Sequence, residues 1–292
     1  MLQGQVIRAA GGFFAVRDES GAEYLCRARG ALKKNRGTLM VGDRVFFKPD
    51  GKDSGDCPGE GIIEKIQPRS NCLYRPPVAN IDQLVVVMSL RQPDCDWQLI
   101  SRLAVLAEKE GLSTLICLNK TDLVSSKELS ELQNLLYPYP YRVLLTSAVS
   151  GKGLDDLAGN LNGCCSVFAG PSGVGKSSLL NVIQPGLSLQ TGSVSDKIKR
   201  GRHTTRQAEL LILDNGGAVV DTPGFTRLDF RSIDPVEMAD YFPEFDACRG
   251  KCAFRNCLHL SEPDCAVLME IDKTVNAMRY EHYRAFMKEL EG

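Results

Sequence analysis

The chain reads as three units in series: an all-β barrel, an α/β unit around a mostly parallel sheet, and a mainly helical, cysteine-rich tail. Three observations predict this. Residues 1–70 carry short strand patterns punctuated by Gly and Asp. Residues 71–232 alternate apolar strand runs with helical patterns. Residues 233–292 turn helical, and four cysteines crowd into Cys248–Cys265. A length of 292 residues fits two or three domains.

In the first unit, "GQVIRAA" and "FFAVRDE" flank Gly11 and Gly12, and "AEYLCRARG", "DRVFFKP" and "GIIEKI" follow. Strands of this number, length and spacing predict a small barrel of the oligonucleotide-binding (OB) type. The connection "RGALKKNRG" groups Arg29, Lys33, Lys34 and Arg36. It reads either as a solvated turn or as a phosphate-contacting loop.

The second unit has strand candidates "IDQLVVVMSL", "STLICLNKTD", "YRVLLTSA", "CSVFAG", "AELLIL" and "GAVVDTPG", mostly apolar on both faces. Helical patterns such as "WQLISRLAVLAEKEG" and "GKSSLLNVIQPG" lie between them. Such alternation implies a parallel or mostly parallel sheet covered on both sides. The prolines of "YRPPVAN" mark the linker into it. In the tail, Met278, Tyr283 and Phe286 form a helical stripe expected to pack against the cysteines.

Bulk composition narrows the classes. Hydrophobic residues make up 43% and charged residues 24%, as in an ordinary globular protein. No apolar run approaches the ~20 residues of a membrane span. The start, "MLQGQVIRAAGGFF", lacks the pattern of a secretory signal, so the cytoplasm is the expected compartment. A net charge of −1 excludes a globally basic nucleic-acid binder but not a local basic patch.

The strongest chemical signal is "GPSGVGKSS", Gly170 to Ser178, after a strand and opening a helix. Gly170, Gly173 and Gly175 let successive backbone N–H groups of the loop, which also holds Pro171, Ser172 and Val174, turn toward a β-phosphate at the helix N-terminus. Lys176 reaches β/γ oxygens, and the Ser177 hydroxyl is an Mg²⁺ ligand candidate. "VVDTPG" places Asp221 near the Mg²⁺ shell and Gly224 near a γ-phosphate. Between them "RGRHTTR" offers Thr204 and Thr205 as γ-phosphate and Mg²⁺ sensors, with Thr205 the Mg²⁺ candidate. Lys197, Lys199, Arg200, Arg202 and Arg206 surround them.

Upstream, "LNKTD" supplies Asn119, Lys120 and Asp122, and "TSA" supplies Ser147 and Ala148. The Asp122 carboxylate can accept from both N1–H and N2 of guanine, donors that adenine lacks. The full set of GTPase elements is present but rotated: guanine loops, phosphate loop, switch I, switch II. Joining the last helix, "GLDDLAGNLNG", to the first strand and opening the chain after switch II yields this order. The pattern is that of a circularly permuted GTPase. Phe225 follows Gly224, where Ras-like enzymes carry the Gln that orients water, so unaided hydrolysis should be slow. His203 in switch I is the nearest substitute.

"CAFRNCLHLSEPDC" holds Cys252, Cys257, His259 and Cys265, an accepted tetrahedral Zn²⁺ set. Four ligands leave no open position, so one structural zinc per chain is expected. Cys248 is a fifth possible ligand, but Cys252 fits better with the other three.

The motif order, the barrel, the linker "RPPVANIDQ" and the Cys-x4-Cys-x-His-x5-Cys pattern together resemble the RsgA (YjeQ/YloQ) family of bacterial circularly permuted GTPases over the whole chain. The resemblance implies GTP and GDP as ligands, Mg²⁺ with GTP, and a partner in the small ribosomal subunit and its rRNA. It implies strong stimulation by that subunit, action late in its assembly near the decoding region, and a monomer with no membrane role. It also implies that the hydrophobic Phe225 is a family trait and that His203 is the catalytic candidate. Two other classes are an RNA-binding protein gated by nucleotide and a metabolic P-loop kinase. The kinase would need an acceptor site, for which no candidate is found.

Overall fold

A computed structural model describes residues 1–30, 39–50, 59–74, 77–187, 209–221, 230 and 233–291. The first strands are β1 (Leu2–Ala10), β2 (Phe13–Asp18), β3 (Glu23–Ala28), β4 (Arg44–Pro49) and β5 (Gly59–Ile66). They pair in the order β1-β2-β3-β5-β4, and β4 returns to β1, so the sheet closes. Closure leaves fewer edges open and lets alternate side chains fill one interior. That interior is Val6, Val16, Cys26, Val45, Phe47 and Ile63. Gly4 sits where β1 serves two neighbours, paired with Asp18 on β2 and Val45 on β4. A Cβ there would stand 2.7 Å from the Arg17 carbonyl oxygen, so only glycine allows the crossing.

The described residues on either side of Arg75 and Pro76 in the proline-marked linker are paired and tied more than their composition suggests. Its flanks pair as a hairpin, β6 (Cys72–Tyr74) with β7 (Pro77–Ala79). Polar side chains fix it on both sides. The Ile81 N–H donates to Asn71 Oδ1 at 2.9 Å and Asn71 Nδ2 donates to the Ile81 carbonyl at 2.7 Å. Asn80 Nδ2 donates to the Gly42 carbonyl at 3.0 Å, and Arg69 holds the buried Asp43 carboxylate through bonds of 2.7 and 2.9 Å.

The second unit contains β8 (Gln83–Ser89), β9 (Ser113–Asn119), β10 (Arg142–Leu145), β11 (Cys165–Ala169), β12 (Glu209–Ile212) and β13 (Ala218–Asp221). Their order is β10-β9-β8-β11-β13-β12, with all neighbours parallel except the β12–β13 pair. Every residue of β8 and β11 is buried, as expected for strands covered on both faces. Helices α1 (Trp97–Lys109), α2 (Ser126–Leu135), α3 (Leu154–Leu161) and α4 (Lys176–Ile183) connect or follow the strands. Local signals set their starts: Asp96 accepts from the Leu99 N–H, and Ser125 with Glu128 forms a capping box. β12 also pairs with β1 at Glu209 and Arg8, joining barrel and α/β unit in one sheet.

Chain order and sheet order together locate the site. From β8 the chain steps outward through β9 to β10. It then returns through α3 to β11 on the other side of β8. Ligands of open α/β sheets bind at such a reversal, beyond the carboxyl ends of the strands.

The tail has two 3₁₀ helices, Pro235–Tyr241 and Pro243–Cys248, then α5 (Ala266–Met269) and α6 (Ala277–Glu291). Tyr283 and Phe286 of the predicted stripe are buried, whereas Met278 is only half-buried; Arg279, Tyr280 and Met287 complete the buried face. The stripe does meet the cysteine segment. Tyr283 donates its hydroxyl to the Leu258 carbonyl at 2.6 Å, and Tyr280 to the His259 carbonyl at 2.9 Å. The same helix lies on α1, with His282 Nδ1 2.8 Å from Ser101 Oγ. Among the described residues no helix is long and apolar enough to cross a membrane.

Candidate nucleotide site and metal centre

The loops that follow β8, β9, β10 and β11 meet at the reversal point. Gly170 leaves β11 at φ 144°, and a Cβ on it would stand 2.0 Å from the Val87 carbonyl oxygen of β8. Gly175, at φ 99°, is pressed in the same way: its Cβ would lie 2.3 Å from Asn119 Nδ2. These two glycines let the phosphate loop pack directly on β8 and on the guanine loop.

Asn119 is buried and works as a tie. Its Nδ2 donates to the Val174 carbonyl at 2.8 Å, while its Oδ1 accepts from Thr146 Oγ1 at 3.3 Å. Three loops are thereby held by one amide. Lys120 is left-handed at φ 62° and its ammonium donates to the Gln92 carbonyl. Asp122 and Ser147 come together, with Ser147 Oγ donating to Asp122 Oδ1 at 2.5 Å. The Thr121 N–H and hydroxyl both donate to the Thr146 carbonyl at 3.1 Å. Ala148 follows on the same loop. Sequence reasoning missed the parts of Thr146 and Gln92. Thr146 stood inside the quoted "TSA", whereas nothing local in the sequence points to the Gln92 carbonyl.

Helix α4 begins at Lys176 with Gly175 as its cap, so no side chain occupies its first N–H groups. Lys176 curls over the loop, and its ammonium donates to the Gly170 and Pro171 carbonyls at 2.7 Å each. Burial pushes the Lys176 pKa down. An incoming phosphate would offset that penalty by supplying opposite charge. Ser177 and Ser178 lie half-buried in the first turn, and Ser172 and Gly173 are exposed at the loop crest. Asp221 ends β13, the strand beside β11. His203, Thr204, Thr205, Gly224 and Phe225 lie outside the described residues, as do Lys33, Lys34 and Arg36 and the basic residues of switch I.

Lys176→Ala should therefore lower single-turnover GTP hydrolysis by about 10²–10³, the usual loss for one preorganised charge contact. Unchanged turnover would remove this lysine from the site.

In the tail, Cys252, Cys257, His259 and Cys265 offer four ligand atoms within 4.8 Å of one another. Zn–S bonds of about 2.3 Å and Zn–N bonds of about 2.0–2.1 Å at tetrahedral angles imply S···S near ~3.8 Å and S···N near ~3.6 Å. The observed Cys252–Cys265 sulfur separation is 3.9 Å, and His259 Nδ1 lies 3.6, 3.4 and 3.3 Å from the sulfurs of Cys252, Cys257 and Cys265. The donor set and its spacing fit zinc. Cys248 lies outside that set, its Sγ 3.6 Å from the Ala266 carbonyl oxygen. Glu262 stiffens the turn by accepting from the N–H groups of Leu258, Leu260 and Ser261 at 2.6, 2.8 and 3.0 Å.

The chain resembles known proteins along its full length. A family model described as RsgA GTPase matches residues 66–231, and one described as RsgA N-terminal domain matches residues 3–56. The "Small ribosomal subunit biogenesis GTPase RsgA" of Moorella thermoacetica is 48% identical over 99% of this chain and 97% of its own length. Among solved structures, YjeQ from Thermotoga maritima matches with a TM-score of 0.86 at 38% identity, covering 100% of this chain and 99% of that one. YloQ, described as a circularly permuted GTPase, matches with a TM-score of 0.83 at 37% identity, covering 100% and 95%. The rotated motif order, the sheet that realises it and these full-length matches agree, and the chain belongs to the RsgA GTPase family as a circularly permuted GTP hydrolase.

Proposed function

We propose that this GTPase binds the small ribosomal subunit, acts late in its biogenesis, and hydrolyses GTP to GDP and phosphate faster when bound to it. The observation that carries this reading is a guanine loop and a phosphate loop tied by Asn119 in a chain matched end to end by a relative named for that process. Asn119, Lys120, Asp122, Ser147 and Ala148 take the guanine side. Residues 170–178, with Asp221 and Gly224, take the phosphates. Ser177 and Thr205 would hold Mg²⁺, for which oxygen donors are the suitable set. The ion would offset phosphate charge.

With Phe225 in place of a water-orienting Gln, His203 supplies the group that the subunit brings into position. The units 1–70, 71–232 and 233–292 act as barrel, GTPase and zinc domain. Arg29, Lys33, Lys34, Arg36 and the basic residues of switch I meet rRNA phosphates. The protein works as a monomer in the cytoplasm. Because the chain runs from switch II into the zinc domain, the γ-phosphate alters that domain's hold on the subunit.

Cosedimentation with small or large subunits, in GDP and in a GTP analogue, tests the partner and the coupling together. Binding should favour the small subunit and differ between nucleotides by about 5- to 150-fold. It should also weaken with salt. Single-turnover hydrolysis should accelerate with small subunits in the parent but not in His203→Ala. Equal affinity in both nucleotide states would refute the coupling, and absence of small-subunit binding would refute the partner.

A further inference from the structure

Strand β8 is apolar from Leu84 to Met88 and then ends on a buried hydroxyl, that of Ser89, a residue only 1% exposed. A hydroxyl in that position needs a partner. Ser89 Oγ donates to the Pro93 carbonyl at 2.6 Å, which closes residues 89–93 into a turn at the carboxyl end of the strand. Residues 91–94 are exposed, so the turn has little packing of its own and its shape rests on its hydrogen bonds.

That turn braces the guanine loop at three points. The Leu90 N–H donates to the Asn119 carbonyl at 3.0 Å. The Gln92 carbonyl, presented by a left-handed residue at φ 54°, accepts from the Lys120 ammonium. Arg91 Nη2 donates at 2.8 Å to Glu128 Oε1, in the first turn of the helix that follows the guanine loop. The phosphate loop comes near as well, since a Cβ on Gly173 would stand 3.9 Å from Pro93 Cδ.

We propose that Ser89 is a positioning residue for nucleotide binding: by closing the turn 89–93 it aims the Gln92 carbonyl at Lys120 and fixes that lysine before the ligand arrives. A lysine stem is long and flexible, and ordering such a side chain on binding weakens affinity. Held by its ammonium in the free protein, Lys120 has little of that freedom left to lose. GDP and GTP carry the same base, so both benefit equally. The inference rests on the reading that Lys120 serves the guanine side.

The test uses the full zinc-loaded chain, titrated with GDP and with a non-hydrolysable GTP analogue. In parallel, the nucleotide-free protein is labelled with acetic anhydride and the rate at Lys120, relative to the other lysines, is read by mass spectrometry. Ser89→Ala should weaken both nucleotides alike by about three- to tenfold, the usual effect of leaving one long side chain to be ordered on binding. It should also raise the labelling rate of Lys120. Lys120→Met keeps a stem but loses the bond to Gln92, and should weaken both nucleotides too. Ser89→Ala added to Lys120→Met should change nothing further, because the hydroxyl acts through a lysine that is no longer there.

Parent-like affinities in Ser89→Ala, loss of one nucleotide only, or an unchanged labelling rate would overturn the proposal. So would a second, equal loss when Ser89→Ala is added to Lys120→Met, which would make Ser89 a structural residue acting elsewhere. Should Ser89→Ala fail to fold, Ser89→Cys, whose thiol is a weaker donor, decides by the same readouts. Lys120→Met separates the two layers. If it binds both nucleotides like the parent, the guanine-side reading of Lys120 falls and takes the proposal with it. If it weakens both while Ser89→Ala does not, the turn alone is wrong.

Discussion

Stripping zinc with a chelator should unfold the tail from residue 233 onward while GDP binding persists. The effect is expected to be large. In small modules of this kind metal binding is the greater part of folding free energy, roughly 10–16 kcal/mol in finger peptides at neutral pH. Here the loss would spread through α6. Its tyrosines donate to the carbonyls of Leu258 and His259, and those carbonyls stand where they do because His259 is held at φ 58° between the sulfurs. The nucleotide loops depend on different contacts, namely the buried Asn119 tie and the packing of Gly170 on β8. Hydrogen exchange should therefore show lost protection in 233–291 and retained protection in β8, β9 and β11. Cys257→Ser should reproduce the loss, whereas Cys248→Ser should keep one equivalent of zinc. A chelated protein with a fully protected α6 would show that zinc is not the staple.

How much of this was legible beforehand depended on how dense each local signal was. The phosphate loop was plain because its glycines, lysine and serine follow a strand and open a helix, and β11 and α4 lie there. The five barrel strands were legible from Gly and Asp punctuation, and closure followed from their number. Other features were hidden for physical reasons. Pro and polar residues around Asn71 and Asn80 read as a linker, because turn formers and hairpin anchors share a composition. Only the contacts with Gly42 and Ile81 reveal that Asn71 and Asn80 are tied down. In the sequence Asn119 reads as a guanine contact, and its second task of gripping Val174 depends on a partner 55 residues away. The helical stripe misplaced Met278 and passed over Arg279, because periodicity reads a charged residue as outward-facing.

That arginine carries the last prediction. Arg279 has no exposed surface, and its partner Glu244 is 9% exposed. The pair is bidentate, with Nε to Oε1 at 2.8 Å and Nη2 to Oε2 at 3.2 Å. Phe242 lies over one side at 4.5 Å, and Tyr141, just before β10 of the GTPase unit, approaches at 5.1 Å. Nη1 finds no hydrogen-bond partner. Two charges have thus been taken out of water and satisfy mainly each other. Removing one leaves the other buried and uncompensated, a loss of roughly 3–5 kcal/mol, whereas replacing both with apolar groups of similar size is often neutral or stabilising by ~1–4 kcal/mol. Glu244→Leu should accordingly destabilise the tail strongly in urea, and Glu244→Leu with Arg279→Met should recover most or all of the loss. Zinc content should be unchanged in the double variant, since neither residue touches the ligand set. The double variant does surrender the cation stacked between Phe242 and Tyr141, so recovery also measures how little that stacking contributes. If the double variant is as unstable as Glu244→Leu alone, the pair is not acting as a mutually compensating unit, and Arg279 must be serving the contact with Tyr141 instead.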